Sequence, residues 1–245
     1  MRYVVVGNGR MGSAVDARAA ARGHERVAVV DTRREGWREA LSNARVAFEF
    51  TAPGAAAGNI GALIDRGLSV ISGTTGWSPD AALRELAGSA GVGVVHAPNF
   101  SVGVNAFFRI AERAARLLGS VGGYDPAVVE LHHRGKRDVP SGTARRLAEV
   151  VARAHGTVGA PVEGHPAAGI DPGSVHVVGV RAGAEPGTHT VMFDSAEDRI
   201  ELCHRARGRG GFAAGAVLAA EWLDERTGWY GFEDILDDVL ALGER

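Results

Sequence analysis

The sequence predicts an α/β fold, in which a doubly wound parallel sheet is joined to a second, α+β domain with an open mixed sheet. Two observations predict it. Over roughly the first hundred residues, short β-branched runs alternate with longer alanine-rich runs, which is typical of βαβ units. After Asn99 this alternation stops, and helix-like runs are followed by three β-rich runs in close succession.

The elements of the first part follow from the alternation. Short runs rich in valine and isoleucine predict strands, and the alanine-rich runs between them predict helices. The predicted strands span residues 3–6, 26–30, 46–50, 69–72 and 93–96. The predicted helices span residues 13–22, 36–42, 55–66 and 79–89.

The second part has a different set of elements. Helices are predicted over 105–119 and 142–155, a strand over 127–131, and a loop rich in glycine and proline over 156–173. Runs at 175–180, 188–193 and 199–204 predict strands in hairpin-like succession, so we expect a largely antiparallel pairing in this part. Helices at 211–224 and 232–242 could pack back on the first part. We therefore predict one domain of residues 1–103 with 212–245, and a second of residues 104–211.

Composition narrows the class of function. The chain has 245 residues, 45% of them hydrophobic, a formal charge of -2 and a pI near 6.5. Because it lacks a basic domain or stripe, we expect no nucleic-acid partner. No run approaches the length of a membrane span, and Met1 leads directly into a strand, so we expect a cytoplasmic protein without a signal peptide. Cys203 is the single cysteine, which excludes an intrachain disulfide and a cysteine-rich metal site.

A glycine motif follows the first strand and begins the first helix. It has the spacing Gly-x-Gly-x-x-Gly in the context where that pattern binds dinucleotides. The first glycine makes a tight turn, the second lets the backbone approach a pyrophosphate, and the third lets the helix pack on the strand. We therefore predict a Rossmann-like domain whose phosphate site is formed by Gly7, Gly9, Arg10, Met11 and Gly12.

An acidic residue occupies the position that contacts the ribose in this fold. Asp31 ends the second strand about 19 residues beyond the glycine motif, where a carboxylate accepts hydrogen bonds from ribose hydroxyls. Arg33 and Arg34 follow, and Arg10 lies in the glycine loop, so a 2′-phosphate could also find cations. The residues therefore leave NADPH, NADH or both open as the cofactor.

Two more loops lie at the carboxyl ends of predicted strands, the edge at which parallel sheets bind ligands. Gly73 and Thr75 belong to one loop, and Ala97, Asn99 and Phe100 belong to the other. Their backbone and hydroxyl groups could reach a nicotinamide ring, and Phe100 could form a wall beside it. The alternative is that both loops are ordinary turns.

The 27 lysine and arginine residues include only one lysine, Lys136. An ammonium is a compact point donor that can give up a proton, whereas a guanidinium is planar and always charged. Chance could place the single lysine at this position, but His132 and His133 precede it closely and Ser141 follows. Acid, base and anion-binding groups therefore lie in one short segment, which favours an active site.

Ser141 is predicted to cap the helix that begins at Gly142. Free N–H groups of its first turn, with the hydroxyls of Ser141 and Thr143, would form an anion pocket. The preceding histidines and lysine would add a proton donor and positive charge, which suits a substrate with carboxylates. A metal site at the two histidines lacks a matching third ligand and has a lysine beside it, and a Ser–His nucleophilic pair lacks a nucleophile elbow. We therefore predict no metal.

Residues 130–144 resemble the signature of the 4-hydroxy-tetrahydrodipicolinate reductase family, also called dihydrodipicolinate reductase. The resemblance covers nearly the whole chain, through residues 7–12, 50–53, 73–76, 97–105, 181, 189–190, 200–209 and 212–230. It implies that a cyclic dicarboxylic imine is reduced by NADPH or NADH in the diaminopimelate route to lysine.

The resemblance also implies roles for single residues. His132 would be the general acid, with Lys136 binding or protonating beside it and His133 contacting the substrate. The groups that would hold a substrate carboxylate are Ser141, Gly142 and Thr143, and those that would frame the nicotinamide are Gly73, Thr75, Ala97 and Phe100.

The same resemblance implies an assembly. Residues 104–211 would bind substrate and form a homotetramer through their sheets, and hinges near residues 99–101 and 209 would close the two domains.

The chain departs from the family pattern at three places. Ala182 and Ala184 follow Arg181 where the family usually has Gly and Asp, Thr188 replaces a usual Glu, and Glu49 replaces a customary aspartate. A paralogue that reduces a related cyclic imine is therefore an alternative, as is a nucleotide-sensing protein without turnover. The intact catalytic segment argues against a sensor. An aldehyde dehydrogenase would need a reactive thiolate, and Cys203 lies in a late strand without that context.

Overall fold

The computed structural model describes residues 1–167, 169–171 and 173–241, which form two compact units. One unit comprises Met1–Asn105 and the described residues from Arg209 onward, and the other comprises Ala106–Gly208. Among the described residues, none of the helices combines the length and apolarity that a bilayer span requires. The functions predicted for the two parts stay predictions at this point.

Strands and helices alternate along most of the chain. The strands are β1 (Arg2–Val6), β2 (Glu25–Val30), β3 (Val46–Glu49), β4 (Ser69–Ser72), β5 (Gly93–His96), β6 (Asp125–His132), β7 (Pro161–Glu163), β8 (Val175–Arg181), β9 (Thr188–Asp194), β10 (Arg199–Arg205) and β11 (Gly228–Tyr230). The helices are α1 (Arg10–Ala21), α2 (Pro53–Ile64), α3 (Ala81–Ser89), α4 (Val102–Val121), α5 (Gly142–His155), α6 (Gly210–Trp222) and α7 (Phe232–Ala241).

The first unit is built on a parallel sheet of six strands in the order β11-β5-β4-β3-β1-β2. Its central strands are buried on both faces. Tyr3 and Val5 pack into an apolar cluster with residues of α1, α6 and α7, while Val4 and Val6 pack into a second cluster with α2 and α3. Helices therefore cover both faces, as an all-parallel sheet requires. The prediction of a Rossmann-like doubly wound domain is confirmed, including the return of the last two helices.

The second unit is built on a mixed sheet in the order β10-β9-β6-β8-β7. Its central strand β6 pairs antiparallel with β9 and parallel with β8. Residues alternate along β6, so that Val128, Glu130 and His132 are buried while Val129 and Leu131 are partly exposed. The register places Gly179 and His189 beside Glu130 on the buried face, which α5 covers.

Four details of the predicted elements are wrong. The helix over 36–42 is a short 3-10 helix, Trp37–Leu41, and β7 lies inside the predicted 156–173 loop. Strand β11 was not predicted, because three residues carry too little pattern. The second sheet is not largely antiparallel, since β8 and β9 are separated by β6 instead of forming a hairpin. The predicted end of the last helix at 242 lies outside the described residues.

The glycine motif explains the tight turn between β1 and α1. Gly7 has a φ of 104°, and a Cβ there would lie 2.3 Å from the carbonyl oxygen of Phe50. A Cβ on Gly12 would lie 2.1 Å from the Gly7 carbonyl oxygen, so the helix can pack this closely only without a side chain. Gly9 has no neighbour within 4 Å of such a Cβ, and its backbone is open to a ligand.

We expect Gly12→Ala to destabilise the protein by about 1–3 kcal/mol or more, because the methyl group meets backbone that cannot move away. Gly58→Ala is the matched control, since Gly58 is exposed within α2 and has open space around it. That variant should gain up to about 1 kcal/mol through helix propensity. Midpoints of thermal unfolding measure both changes, and an unaltered midpoint for Gly12→Ala would contradict the packing described.

Candidate active site

The cofactor residues predicted from the sequence gather at the carboxyl edge of the parallel sheet. The chain reverses its direction of strand addition between β1 and β3, which is where open α/β sheets bind ligands. Gly9 occupies the N-cap of α1 and provides no side-chain cap, so the N–H groups of Arg10, Met11 and Gly12 are left for an anion. The predicted phosphate site thus has backbone N–H groups at its helix terminus, and the role of these residues stays a prediction.

Asp31 and Arg33 form a bidentate pair at the end of β2. Arg33 Nε and Nη2 donate to the two carboxylate oxygens at 2.9 and 2.7 Å, and the Arg33 backbone N–H donates at 3.1 Å. These hydrogen bonds lower the pKa of Asp31 to about 2. A cavity of about 310 Å³ beside them is lined by Asn8, Val29, Val30, Asp31, Arg34, Glu35, Gly36 and Trp37. It suits the adenosine half of a dinucleotide, with Trp37 as an aromatic surface that the sequence analysis missed.

A buried carboxylate, Glu49, joins the loops after β3 and β4. Its Oε2 accepts from Ser72 Oγ at 2.7 Å, and its Oε1 accepts from Thr74 Oγ1 at 3.0 Å and from the Thr51 hydroxyl. Thr74 Oγ1 in turn accepts from the Thr51 backbone N–H at 2.9 Å. Glu49, in place of the aspartate expected from the resemblance, is therefore accommodated by hydrogen-bond donors on both carboxylate oxygens, and both loops are fixed beside the glycine motif.

The residues predicted to frame a nicotinamide lie at this edge in different environments. Thr75 is exposed, and Gly73 lets the ring of Phe50 approach, since a Cβ there would lie 2.2 Å from that ring. Ala97 and Phe100 are buried, and the Phe100 ring packs edge-on against Phe50 and Phe232. Asn99 Oδ1 accepts from the Ser101 N–H at 2.8 Å and so shapes its own loop.

The second unit contains the residues predicted to act as acid and base. His132 lies at the end of β6, where its Nδ1 hydrogen bonds to Oε2 of Glu130 on the same buried face. A Cβ on Gly187 would lie 2.8 Å from His132 Nε2, so a glycine at 187 leaves this nitrogen uncovered. The His132 side chain keeps 11% exposure, which gives a ligand access.

Arg181 connects Glu130 to the loop that carries Lys136. Its guanidinium donates to Glu130 Oε1 at 2.6 Å, to the Lys136 carbonyl at 3.2 Å and to the Asp138 carbonyl. Lys136 Nζ donates to both carboxylate oxygens of Asp138, at 2.8 and 2.9 Å. His133 is exposed on the same loop. The ammonium is therefore held by a carboxylate that a substrate carboxylate would have to replace.

Ser141 is the N-cap of α5, which confirms the predicted start of this helix at Gly142. Its Oγ accepts from the Ala144 N–H at 3.2 Å and lies 3.2 Å from His189 Nε2. Gly142 is exposed and Thr143 is partly exposed, so the first turn of α5 can be reached by an anion.

Burial controls the charge of this cluster. Burial lowers the pKa of His132, the charge and hydrogen bond of Glu130 oppose this in part, and Lys136 and Arg181 add to the lowering. Burial alone would raise the pKa of Glu130, but its bond to Arg181 and the charge of His132 outweigh that and hold the pKa below its ordinary value. Burial lowers the pKa of His189 to about 4. The cluster is thus an ionised carboxylate between a guanidinium and neutral imidazoles.

Glu130, His132 and His189 also place three ligand atoms within 4.8 Å of one another, which is close enough for one metal ion. The Arg181 guanidinium occupies one oxygen of the same carboxylate, and a neighbouring positive charge opposes a cation. We therefore interpret the cluster as an acid–base site, and the predicted absence of a metal stays a prediction.

Sequence reasoning gave no role to Glu130, Arg181 and His189. One signal was present, because Glu130 and His132 are two residues apart in an apolar strand and must share a face. Arg181 on β8 and His189 on β9 reach Glu130 only through the strand order of the second sheet, which could not be predicted from the sequence.

Family models match nearly the whole chain. A family model described as dihydrodipicolinate reductase, N-terminus, matches residues 1–100, and one described as its C-terminus matches residues 103–236. Three relatives carry the name 4-hydroxy-tetrahydrodipicolinate reductase. The relative from Christiangramia forsetii is 35% identical, with 98% of this chain and 99% of that one covered. The relative from Natronomonas pharaonis is 39% identical (96% and 99% covered), and that from Chromobacterium violaceum is 41% identical (80% and 75% covered).

A solved structure supports the fold. A dihydrodipicolinate reductase from Paenisporosarcina sp. TG-14, with dipicolinate bound, superposes with a TM-score of 0.78 at 22% identity, covering 96% of this chain and 99% of that one.

We expect His189 to make stability depend on pH. Between about pH 6.5 and 4 the unfolded chain binds a proton at this histidine that the folded chain excludes, so the free energy of unfolding falls as pH falls. His189→Gln should reduce this fall by about 1 kcal/mol per pH unit, as urea unfolding across the window would measure. His165→Gln replaces an exposed histidine and is the matched control. Parallel pH curves for wild type and His189→Gln would contradict the expectation.

Proposed function

The chain belongs to the dihydrodipicolinate reductase family, and we propose that it reduces 4-hydroxy-tetrahydrodipicolinate to tetrahydrodipicolinate with NADPH or NADH, in the diaminopimelate route to lysine. The observation that carries this proposal is the cluster of Glu130, His132, Lys136 and the start of α5, which joins a proton donor to an anion pocket. The relatives' shared name supports the reaction, and the glycine motif supports the cofactor.

The substrate is a cyclic dicarboxylate, and the second unit offers two kinds of anion contact. Ser141, Gly142 and Thr143 would bind one carboxylate through hydroxyls and N–H groups of the first turn of α5. Lys136 would bind the substrate by exchanging the Asp138 carboxylate for that of the ligand, and exposed His133 would contact it as well. The related enzyme from Paenisporosarcina was solved with dipicolinate, a planar dicarboxylate of the same kind.

In the proposed mechanism, a bound reduced nicotinamide would supply the hydride and be converted to its oxidised form. The 4-hydroxyl group of the substrate is lost as water, and the conjugated imine takes up the hydride and one proton. His132, after taking up a proton at Nε2, delivers that proton from the nitrogen that no side chain of residue 187 covers and returns to its neutral form. Lys136 and the first turn of α5 hold the carboxylates, so that positioning and electrostatics carry most of the acceleration.

We propose that the enzyme accepts both cofactors. Asp31 offers carboxylate oxygens to ribose hydroxyls of NADH, while Arg33 and Arg34 beside it offer cations to the 2′-phosphate of NADPH. The nicotinamide half would lie at the loops of Gly73, Thr75, Ala97, Asn99 and Phe100.

We also propose a cytoplasmic homotetramer. Among the described residues, the face of the second sheet opposite α5 leaves apolar side chains open to water: Val129 and Val178 are partly exposed, and Val180 is 46% exposed. Burial of such a face against other copies of the chain would remove it from water. A monomeric mass in light scattering would contradict the assembly, and cell fractionation would test the location.

A paralogous reductase of a related cyclic imine is the second candidate. It is favoured by the departures from the family pattern around β9. There Thr188 Oγ1 donates a hydrogen bond to Glu185 Oε1 at 2.9 Å, next to Gly187 and to His132, the proposed acid.

The proposed function is tested by oxidation of the reduced cofactor, followed by absorbance, with substrate generated by the preceding synthase and with NADPH and NADH in parallel. Turnover with both supports the proposal. Cofactor binding without oxidation would contradict it and favour the altered substrate or the nucleotide-sensing protein.

Arg33→Ala should change the choice of cofactor. Removing the guanidinium takes a cation from the 2′-phosphate, so we expect the KM for NADPH to rise about tenfold. The KM for NADH should stay the same or fall, because the Asp31 carboxylate no longer pairs with Arg33 and can accept hydrogen bonds from the ribose hydroxyls. Steady-state kinetics with both cofactors measure the change, and equal effects on the two would contradict the assignment.

Lys136→Ala should lower kcat/KM for the imine by about 100-fold or more, because a charge-assisted contact to a substrate carboxylate is lost. Its KM for the cofactor should stay unchanged. Arg137→Ala, at an exposed neighbour, is the control that should retain activity. Undiminished turnover in Lys136→Ala would exclude this role for the lysine.

A further inference from the structure

We propose that Glu130 is a positioning residue of the reductase, which holds His132 for proton delivery and fixes the start of α5 where a substrate carboxylate binds. This inference rests on the proposed function, because it assigns an indirect role in that reaction. One carboxylate would then fix the positions of both the proton donor and the anion pocket.

The contacts of Glu130 are divided between its two carboxylate oxygens. Oε2 faces His132 Nδ1, while Oε1 accepts from the Ser141 backbone N–H at 3.1 Å and from Arg181 Nη2 at 2.6 Å. Glu130 is fully buried, so these groups replace its hydration. Moving this carboxylate would displace the histidine and the N-cap of α5 together.

The sheet leaves space for this side chain. Glu130 lies in register with Gly179 on β8 and with His189 on β9. A Cβ on Gly179 would lie 2.5 Å from Glu130 Oε1. The neighbouring strand therefore lacks a side chain at the one place where a side chain would push the carboxylate away.

Arg181 provides the counter-charge. A buried carboxylate is stable only when it is paired and hydrogen-bonded, and Arg181 does this with a side chain that is 13% exposed. The same guanidinium donates to the carbonyls of Lys136 and Asp138. The carboxylate thus also determines, through Arg181, where the substrate-binding loop lies.

The consequence for chemistry is a fixed tautomer of His132. A carboxylate accepts only, so the Nδ1–H donates to Glu130 and the lone pair of neutral His132 is on Nε2. A proton taken up there forms an imidazolium that Glu130 stabilises. The groups that face His132 are Glu130 on its own strand, Lys136 on the next loop, Arg181 on β8 and His189 on β9, and of these Glu130 alone favours the charged form.

Glu130→Gln is the direct test. The carboxamide keeps the shape but cannot accept on both sides, so we expect kcat to fall about 100-fold or more while the KM for the cofactor stays unchanged. With the negative charge gone, protonated His132 becomes less stable. The limb of the pH profile on which activity is lost as pH rises should therefore move to lower pH. Glu163→Gln, which breaks an exposed ion pair with Arg145, is the matched control and should change neither quantity.

Two further variants separate positioning from folding. Gly179→Ala keeps the charge but puts a methyl group against Oε1, so kcat should fall even if Glu130→Gln does not fold. In a His132→Asn background, Glu130→Gln should cost much less than in wild type, because the group it acts through is gone.

The outcomes of these experiments separate failure of this inference from failure of the proposed function. A wild type that oxidises no cofactor with the imine overturns the proposed function. An active wild type with a folded Glu130→Gln of unaltered kcat and pH profile overturns this inference alone, as do additive effects with His132→Asn. If Glu130→Gln does not fold, unaltered kcat in Gly179→Ala overturns it.

Discussion

A buried carboxylate is the constraint on which the second unit depends. Glu130 is fully buried, and removing such a group from water costs several kcal/mol unless hydrogen bonds and an opposite charge replace the hydration. The replacements come from three places in the chain: Arg181 on β8, the Ser141 N–H at the start of α5, and His132 two residues farther along β6. Satisfying one carboxylate therefore determines the position of His132, the proposed acid, and of the start of α5, the proposed anion pocket.

In the first unit, the predicted cofactor site is formed by backbone N–H groups that no side chain caps. At the glycine motif the backbone is left open, because Gly9 provides no cap and the first N–H groups of α1 keep their hydrogen-bonding capacity for phosphates. Glu49 holds the loops at this edge of the sheet, because its carboxylate accepts hydrogen bonds from Ser72, Thr74 and Thr51, which are all neutral donors. The N–H groups at the start of α1 would thus bind the cofactor, while groups with complete hydrogen bonds hold the loops beside them.

Much of the fold could be predicted from the sequence because its signals are local. Alternating runs and the glycine spacing indicate strands, helices and a phosphate site without knowledge of any distant contact, and Ser141 before Gly142 suffices to start α5. Strand order in the second sheet could not be predicted, because β6 inserts between β8 and β9 through pairings far apart in sequence. Arg181 and His189 reach Glu130 only through that order. The partners of Glu130 were therefore not predicted, whereas the segment containing His132 and Lys136 was predicted as the candidate site from its local sequence.

The protonation of His132 is the property that depends most directly on the buried carboxylate. Long-range ¹H–¹⁵N spectra of protein with labelled histidine, assigned with a His132→Asn variant, report which ring nitrogen carries the proton. We predict a neutral ring with its proton on Nδ1, donated to Glu130, and loss of that preference in Glu130→Gln. A His132 ring in wild type with its proton on Nε2 and a bare Nδ1 would contradict this role, because the buried carboxylate would then not be holding the acid.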